Sequence, residues 1–131
     1  MIVVLDASAA IEIAMDRGKA ARLADEIEAA GSVLSPDVLV PEVSNAIWKY
    51  QQFHNLEIAD GEPILDRALR LVDELVPSRQ LFRDALTLAR MLRKPVYDMF
   101  YLALARREGA ILMTLDPALK KDAERQGVQV I

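Results

Sequence analysis

Four acidic side chains stand where they could work together: Asp6, Glu42, Asp98 and Asp116. Asp98 sits at the mouth of residues 95–105, Pro-Val-Tyr-Asp-Met-Phe-Tyr-Leu-Ala-Leu-Ala, whose remaining positions are almost wholly apolar. A helix that apolar must be buried, with its N-terminal end pointing at something. Two unit charges about 4 Å apart repel by roughly 4 kcal/mol at an effective dielectric near 20. Four gathered carboxylates therefore take up protons or require a cation. Hard oxygen donors without histidine or thiolate suit Mg²⁺ or Mn²⁺. Mg²⁺ keeps several waters, and a water activated in this way can attack a phosphodiester, with a second ion stabilising the leaving oxygen.

The elements that must position these acids follow from local pattern. Ile2-Val-Val-Leu5 is a β-branched run without a polar face, as in a central strand buried on both sides, and it stops at Asp6. A short helix over 8–14 and a second over 18–30 come next, the latter closed by Gly31 as a C-cap. Residues 32–35 read as a second strand. Ser35-Pro36 looks like a helix start, an N-cap residue followed by proline, and that helix runs to Phe53. Leu39, Val43, Ala46, Ile47 and Tyr50 share one face of it, and Pro41 is early enough to be tolerated. Glu42 and Asn45 are three apart and project from the same side.

Further along, Asp60-Gly61-Glu62-Pro63 starts a helix reaching Leu71, and residues 73–76 form a short edge strand. Ser78 caps a helix over 79–93, closed by Pro95. The central helix covers 98–107 and ends at Gly109; residues 110–114 are a buried strand. Asp116-Pro117 begins a last helix ended by Gly127, and 128–131 form a final strand. Strands alternate with helices throughout, which calls for an α/β fold: a three-layer α/β/α arrangement around a short, mainly parallel sheet. In such sheets ligands bind beyond the carboxyl ends of the strands. Asp6 and Asp116 follow strands, and Asp98 and Glu42 lie early in helices, so all four converge on one edge.

Bulk properties bound the rest. A chain of 131 residues fits one domain, residues 1–131, and 53% hydrophobic content is far beyond a disordered chain. The net charge of -4 argues against a general nucleic-acid coat protein, though an enzyme acting on RNA needs only a local basic rim. Cysteine is absent and His54 is the one histidine, which excludes disulfides, thiolate sites and multi-histidine zinc sites. No signal peptide and no membrane-spanning run is visible, so the expected location is cytoplasmic. His54 reads as a surface residue at a helix end. Trp48 and Phe53 are either core or partner surface.

Each acid also has a plainer reading. Asp6, Asp98 and Asp116 each stand at a helix start and could be N-caps, and Glu42 could simply favour the positive end of its helix. Capping explains neither the gathering of the acids at one edge nor Glu42 and Asn45 within a largely apolar helix.

The chain resembles the PIN-domain ribonucleases, and among them the VapC-type toxins of toxin–antitoxin pairs. Four segments carry the resemblance: Val4-Leu-Asp-Ala-Ser-Ala9, Pro41-Glu-Val-Ser-Asn-Ala46, Tyr97-Asp-Met-Phe-Tyr-Leu-Ala-Leu-Ala105 and Leu112-Met-Thr-Leu-Asp-Pro-Ala-Leu119. It implies Mg²⁺- or Mn²⁺-dependent cleavage of RNA, with metal ligands at Asp6, Glu42, Asp98 and Asp116. Ser8, Asn45 and Thr114 would support them. It also implies a homodimer and a small antitoxin whose C-terminal segment blocks the active site. Two rival expectations stand beside it. One is a phosphatase or phosphoacceptor using Asp6 as nucleophile, although the second Asp such phosphatases carry two residues on is here Ser8. The other is a catalytically silent PIN-like module whose acids clamp a basic peptide.

Overall fold

The computed structural model describes residues 1–131. Its centre is a four-stranded parallel sheet in the order β3-β2-β1-β4, formed by β1 (Ile2–Leu5), β2 (Ser32–Pro36), β3 (Glu74–Val76) and β4 (Ile111–Met113). Val3 pairs with Val33 on one side and with Ile111 on the other. Val3, Val4 and Leu5 are fully buried, as an unbroken apolar run demands of a strand covered on both faces.

Helices flank the sheet. The first four are α1 (Ala7–Ala14), α2 (Ala20–Ala29), α3 (Leu39–Phe53) and α4 (Ile58–Arg70), which pack on one another. After β3 come α5 (Phe82–Leu92) and α6 (Val96–Glu108), and α7 (Pro117–Arg125) follows β4. α6 lies against β1, β2 and β4 and is covered by α5. Met99 and every residue from Tyr101 to Ala105 are buried, which explains why this helix has no polar face to spare. No helix is long and apolar enough to cross a membrane.

Several local expectations are corrected. Ser35 and Pro36 end β2 instead of starting a helix: the Ser35 hydroxyl donates to Leu5 O at 2.8 Å, and Pro36 aligns with Val76. α3 begins at Leu39 with no side-chain cap, so Pro41 falls in its first turn, where a missing N–H costs nothing. α4 starts earlier than expected, at Ile58, leaving Pro63 inside the helix. Gly61 packs closely against α3: a Cβ there would lie 3.2 Å from Ile47 Cγ2 and closer still to the Gln51 amide.

Ser78 does not cap α5; it opens a single 3₁₀ turn, and its N–H donates to Asp37 Oδ1 at 3.0 Å. α2 is shorter than expected and ends on extended Ala30, so Gly31 is no left-handed cap; its N–H donates to Met1 O at 2.8 Å. Gly109 does adopt that conformation, with φ 60°. The final strand reduces to one bridge between Leu112 and Val130.

Candidate active site

Asp6 is the floor of the site. It follows β1 directly, is only 5% exposed, and caps α1 by accepting the Ala9 N–H at 3.0 Å on Oδ1. The Ser8 hydroxyl donates to the same oxygen at 2.7 Å, while the Thr114 hydroxyl donates to Oδ2. Ser8 Oγ accepts from Leu115 N–H at 2.9 Å, and Thr114 Oγ1 accepts from Asp116 N–H at 3.1 Å. The ends of β1 and β4 are thereby laced together through one carboxylate, and Ser8 and Thr114 lie where they hold it.

The other three acids form the rim. Glu42 is half-buried in the first turn of α3, and its Oε1 accepts the Tyr101 hydroxyl at 2.5 Å. Asp98 lies inside the first turn of α6; Pro95 holds the N-cap position, so the expectation that Asp98 caps this helix is corrected. Its carboxylate is half-buried and makes no hydrogen bond within the protein. Asp116 does cap its helix, accepting Ala118 N–H at 2.9 Å. Capping thus accounts for Asp6 and Asp116 but for neither Asp98 nor Glu42. Asn45, expected beside Glu42, is exposed and without a hydrogen bond.

Electrostatics tie the four together. Burial, opposed by three hydrogen bonds and reinforced by the charge of Asp98, raises the Asp6 pKa to about 6. Glu42 is also raised, first by burial, with the Tyr101 hydrogen bond pulling it down and Asp98 pushing it up. Asp98 is raised by burial and then by Asp116 and Asp122, against the pull of Lys94. Asp98 is therefore the charge that both Asp6 and Glu42 feel. As the side chains lie, no three acids surround a single point closely enough to enclose an ion. The donor set nevertheless fits a hard divalent cation: it is all oxygen, Asp98 is uncommitted, and Glu42 and Asp116 each have a second oxygen free of protein partners.

Two side chains at the candidate site escaped sequence reasoning. Tyr101 is fully buried, and its phenol, held protonated by burial and by Glu42, anchors that carboxylate. It stands three residues after Asp98, a helical spacing that places both on one side and that its apolar neighbours obscured. Asp122 is also buried, and Lys94 Nζ lies 3.8 Å from its Oδ2.

A raised acid pKa has a definite sign. The folded chain keeps a proton on Asp6 between roughly pH 4 and 6 that the unfolded chain has lost, so stability is greatest below this window and falls as pH rises through it. In chelator, the protein should lose stability between about pH 4 and 7, with a ceiling for Asp6 of about 3 kcal/mol at 1.36 kcal/mol per unit. Asp6→Asn should flatten that slope in denaturant titrations; an unchanged slope contradicts the assignment. Tyr101→Phe should push the Glu42 titration further up, read by carboxyl NMR, and lower stability by about 1 kcal/mol.

The geometry can now be set beside known proteins. The family model described as "PIN domain" matches residues 3–124. Ribonuclease VapC3 of Pyrobaculum aerophilum is 27% identical over 121 residues, covering 91% of this chain and 92% of that one. The crystal structure of PAE2754 from the same organism superposes with a TM-score of 0.76 at 22% identity, over 99% of this chain and 92% of that one. VapBC2 from Rickettsia felis, bound to a DNA fragment from its promoter, gives a TM-score of 0.70 at 14% identity, over 100% and 98% of the two chains. With a parallel sheet of matching fold and a family match across nearly its whole length, this chain belongs to the PIN domain family.

Proposed function

We propose that this protein is a Mg²⁺- or Mn²⁺-dependent endoribonuclease and the toxin of a toxin–antitoxin pair. The observation that carries the reading is the convergence of Asp6, Glu42 and Asp116 on the charge of Asp98, two of the four acids having no capping role. The ribonuclease name of the VapC3 relative, and the sequence resemblance to VapC-type toxins, favour RNA as substrate.

A divalent ion held by Asp6, Glu42, Asp98 and Asp116 would supply the positive charge that balances the carboxylates and the charge developing on a phosphodiester during hydrolysis. The chain's own residues do the rest. Ser8, Thr114 and the Ala9 N–H fix both oxygens of Asp6, so its carboxylate cannot swing. Tyr101 holds Glu42 toward Asp98 from the buried side. The raised pKa values of Asp6, Glu42 and Asp98 favour the crowded site's holding protons until a cation replaces them. Asn45, exposed on α3 three residues after Glu42, would orient a ligand or water from the open side.

The partners in this reading are RNA, a small antitoxin whose C-terminal segment enters the site, and a second copy of the chain. Trp48, Phe53 and Ile58 are 49%, 68% and 85% exposed around the α3–α4 junction, apolar surface that suits a protein partner. Action on RNA goes with a cytoplasmic location. A phosphoacceptor role for Asp6 is disfavoured because Ser8 stands where such phosphatases carry their second Asp. The silent binding module remains as the rival that a cleavage assay separates.

Labelled RNAs of mixed sequence, incubated with Mn²⁺, with Mg²⁺ or with chelator, should be cut only in the presence of metal. Asp98→Asn, which leaves every hydrogen bond of the site in place, should reduce cleavage by at least about 100-fold, the loss of roughly 3 kcal/mol of transition-state stabilisation. Cleavage by the mutant at the wild-type rate would sink the four-acid reading, and antitoxin binding without any cleavage would favour the silent module.

A further inference from the structure

A groove of about 380 Å³ opens beside the acids, between the loop leading into α6 and the outer face of α7. Lys94, Lys121 and Arg125 line it together with Pro117, Ala118 and the buried Asp122. Its charged side chains are three cations against one acid, in a chain whose overall charge is -4. Asp122 is already matched with Lys94 at 3.8 Å, and Lys94 is steadied by it at the groove's edge. Lys121 and Arg125 are exposed, four residues apart on one side of α7, and neither has a carboxylate partner.

The groove abuts the site. Its wall is the first turn of α7, which follows Asp116 directly, and both Lys94 and Asp122 act on the charge of Asp98. The helix end itself is not the attraction, since Pro117 has no N–H and the Ala118 N–H is taken by Asp116. The side chains are. Lys121 and Arg125, held next to a cluster of acids without pairing with any of them, suit a polyanion that spans both.

We propose that Lys94, Lys121 and Arg125 form a phosphate-binding track for the RNA strand flanking the cleaved bond, a reading that rests on the nuclease function above. The contacts are to phosphate oxygens and carry no base preference. They fix which way the strand leaves the carboxylates.

Binding is measured by fluorescence anisotropy of a labelled single-stranded RNA without added metal, in an Asp98→Asn background to prevent cleavage. Lys121→Gln with Arg125→Gln should weaken binding at least tenfold. It should also make the dependence of log affinity on log salt shallower by about 1.4, at roughly 0.7 per single-strand contact. Arg70→Gln with Arg106→Gln removes the same charge where α4 and α6 run toward β3 and β4, at the opposite sheet edge, and should change affinity less than twofold. Equal losses in the two pairs, no loss in either, or no RNA binding by the parent would each overturn the track. Wild-type cleavage of the same RNA with Mn²⁺ is scored separately. Cleavage with unaffected variant binding removes the track alone; variant-sensitive binding with no wild-type cleavage removes the nuclease reading and leaves the groove as an RNA-binding site.

Discussion

Repulsion among carboxylates around Asp98 is the constraint on which the rest of the structure depends. Burial and like charge raise Asp6, Glu42 and Asp98 together. The fold meets this repulsion by making the surrounding frame stiff. α6 is buried on nearly every side between the sheet and α5, so the position of Asp98 is set by apolar contacts far from any charge. β1 and β4 lie side by side in the sheet, and their carboxyl ends deliver Asp6 and Thr114 to one place.

Neutral hydrogen bonds complete that frame. Ser8, Thr114 and Tyr101 add no charge, yet they fix Asp6 and Glu42 against rotation. Their loss would leave the carboxylates in the same region but free to relax away from one another toward water. Preorganisation of this kind is what a metal site needs from the residues around its ligands. It also explains why a site with so few polar groups can hold its shape without an ion pair among its four acids.

Much of this was legible in the sequence, for identifiable reasons. The unbroken Ile2-Val-Val-Leu5 run suited a buried strand, and the apolar stretch after Asp98 suited a buried helix; together they position two of the acids. Ser35-Pro36 misled because the same dipeptide suits a helix start and the end of a strand, and only the hydrogen bond from Ser35 to Leu5 decides between them. Ser78 misled likewise, its backbone being bound to Asp37 from across the chain. Pro63 sits inside α4, and Gly61 packs closely against α3, neither of which local propensity indicates. Tyr101 was hidden among apolar neighbours, since a phenol becomes a polar anchor only when its partner, on another helix, is known. Asp122 was hidden because its burial depends on how α7 is rotated against the site.

The central claim is that the four acids bind a divalent cation in place of protons. Calorimetric titration of Mn²⁺ into the metal-free protein near pH 6, in two buffers of different ionisation enthalpy, tests it most directly. The account predicts saturable binding with net proton release, because Asp6 is about half protonated there, and loss of that binding in Asp6→Asn and in Asp98→Asn. No saturable binding at millimolar Mn²⁺, or binding that both substitutions leave unchanged, would contradict it.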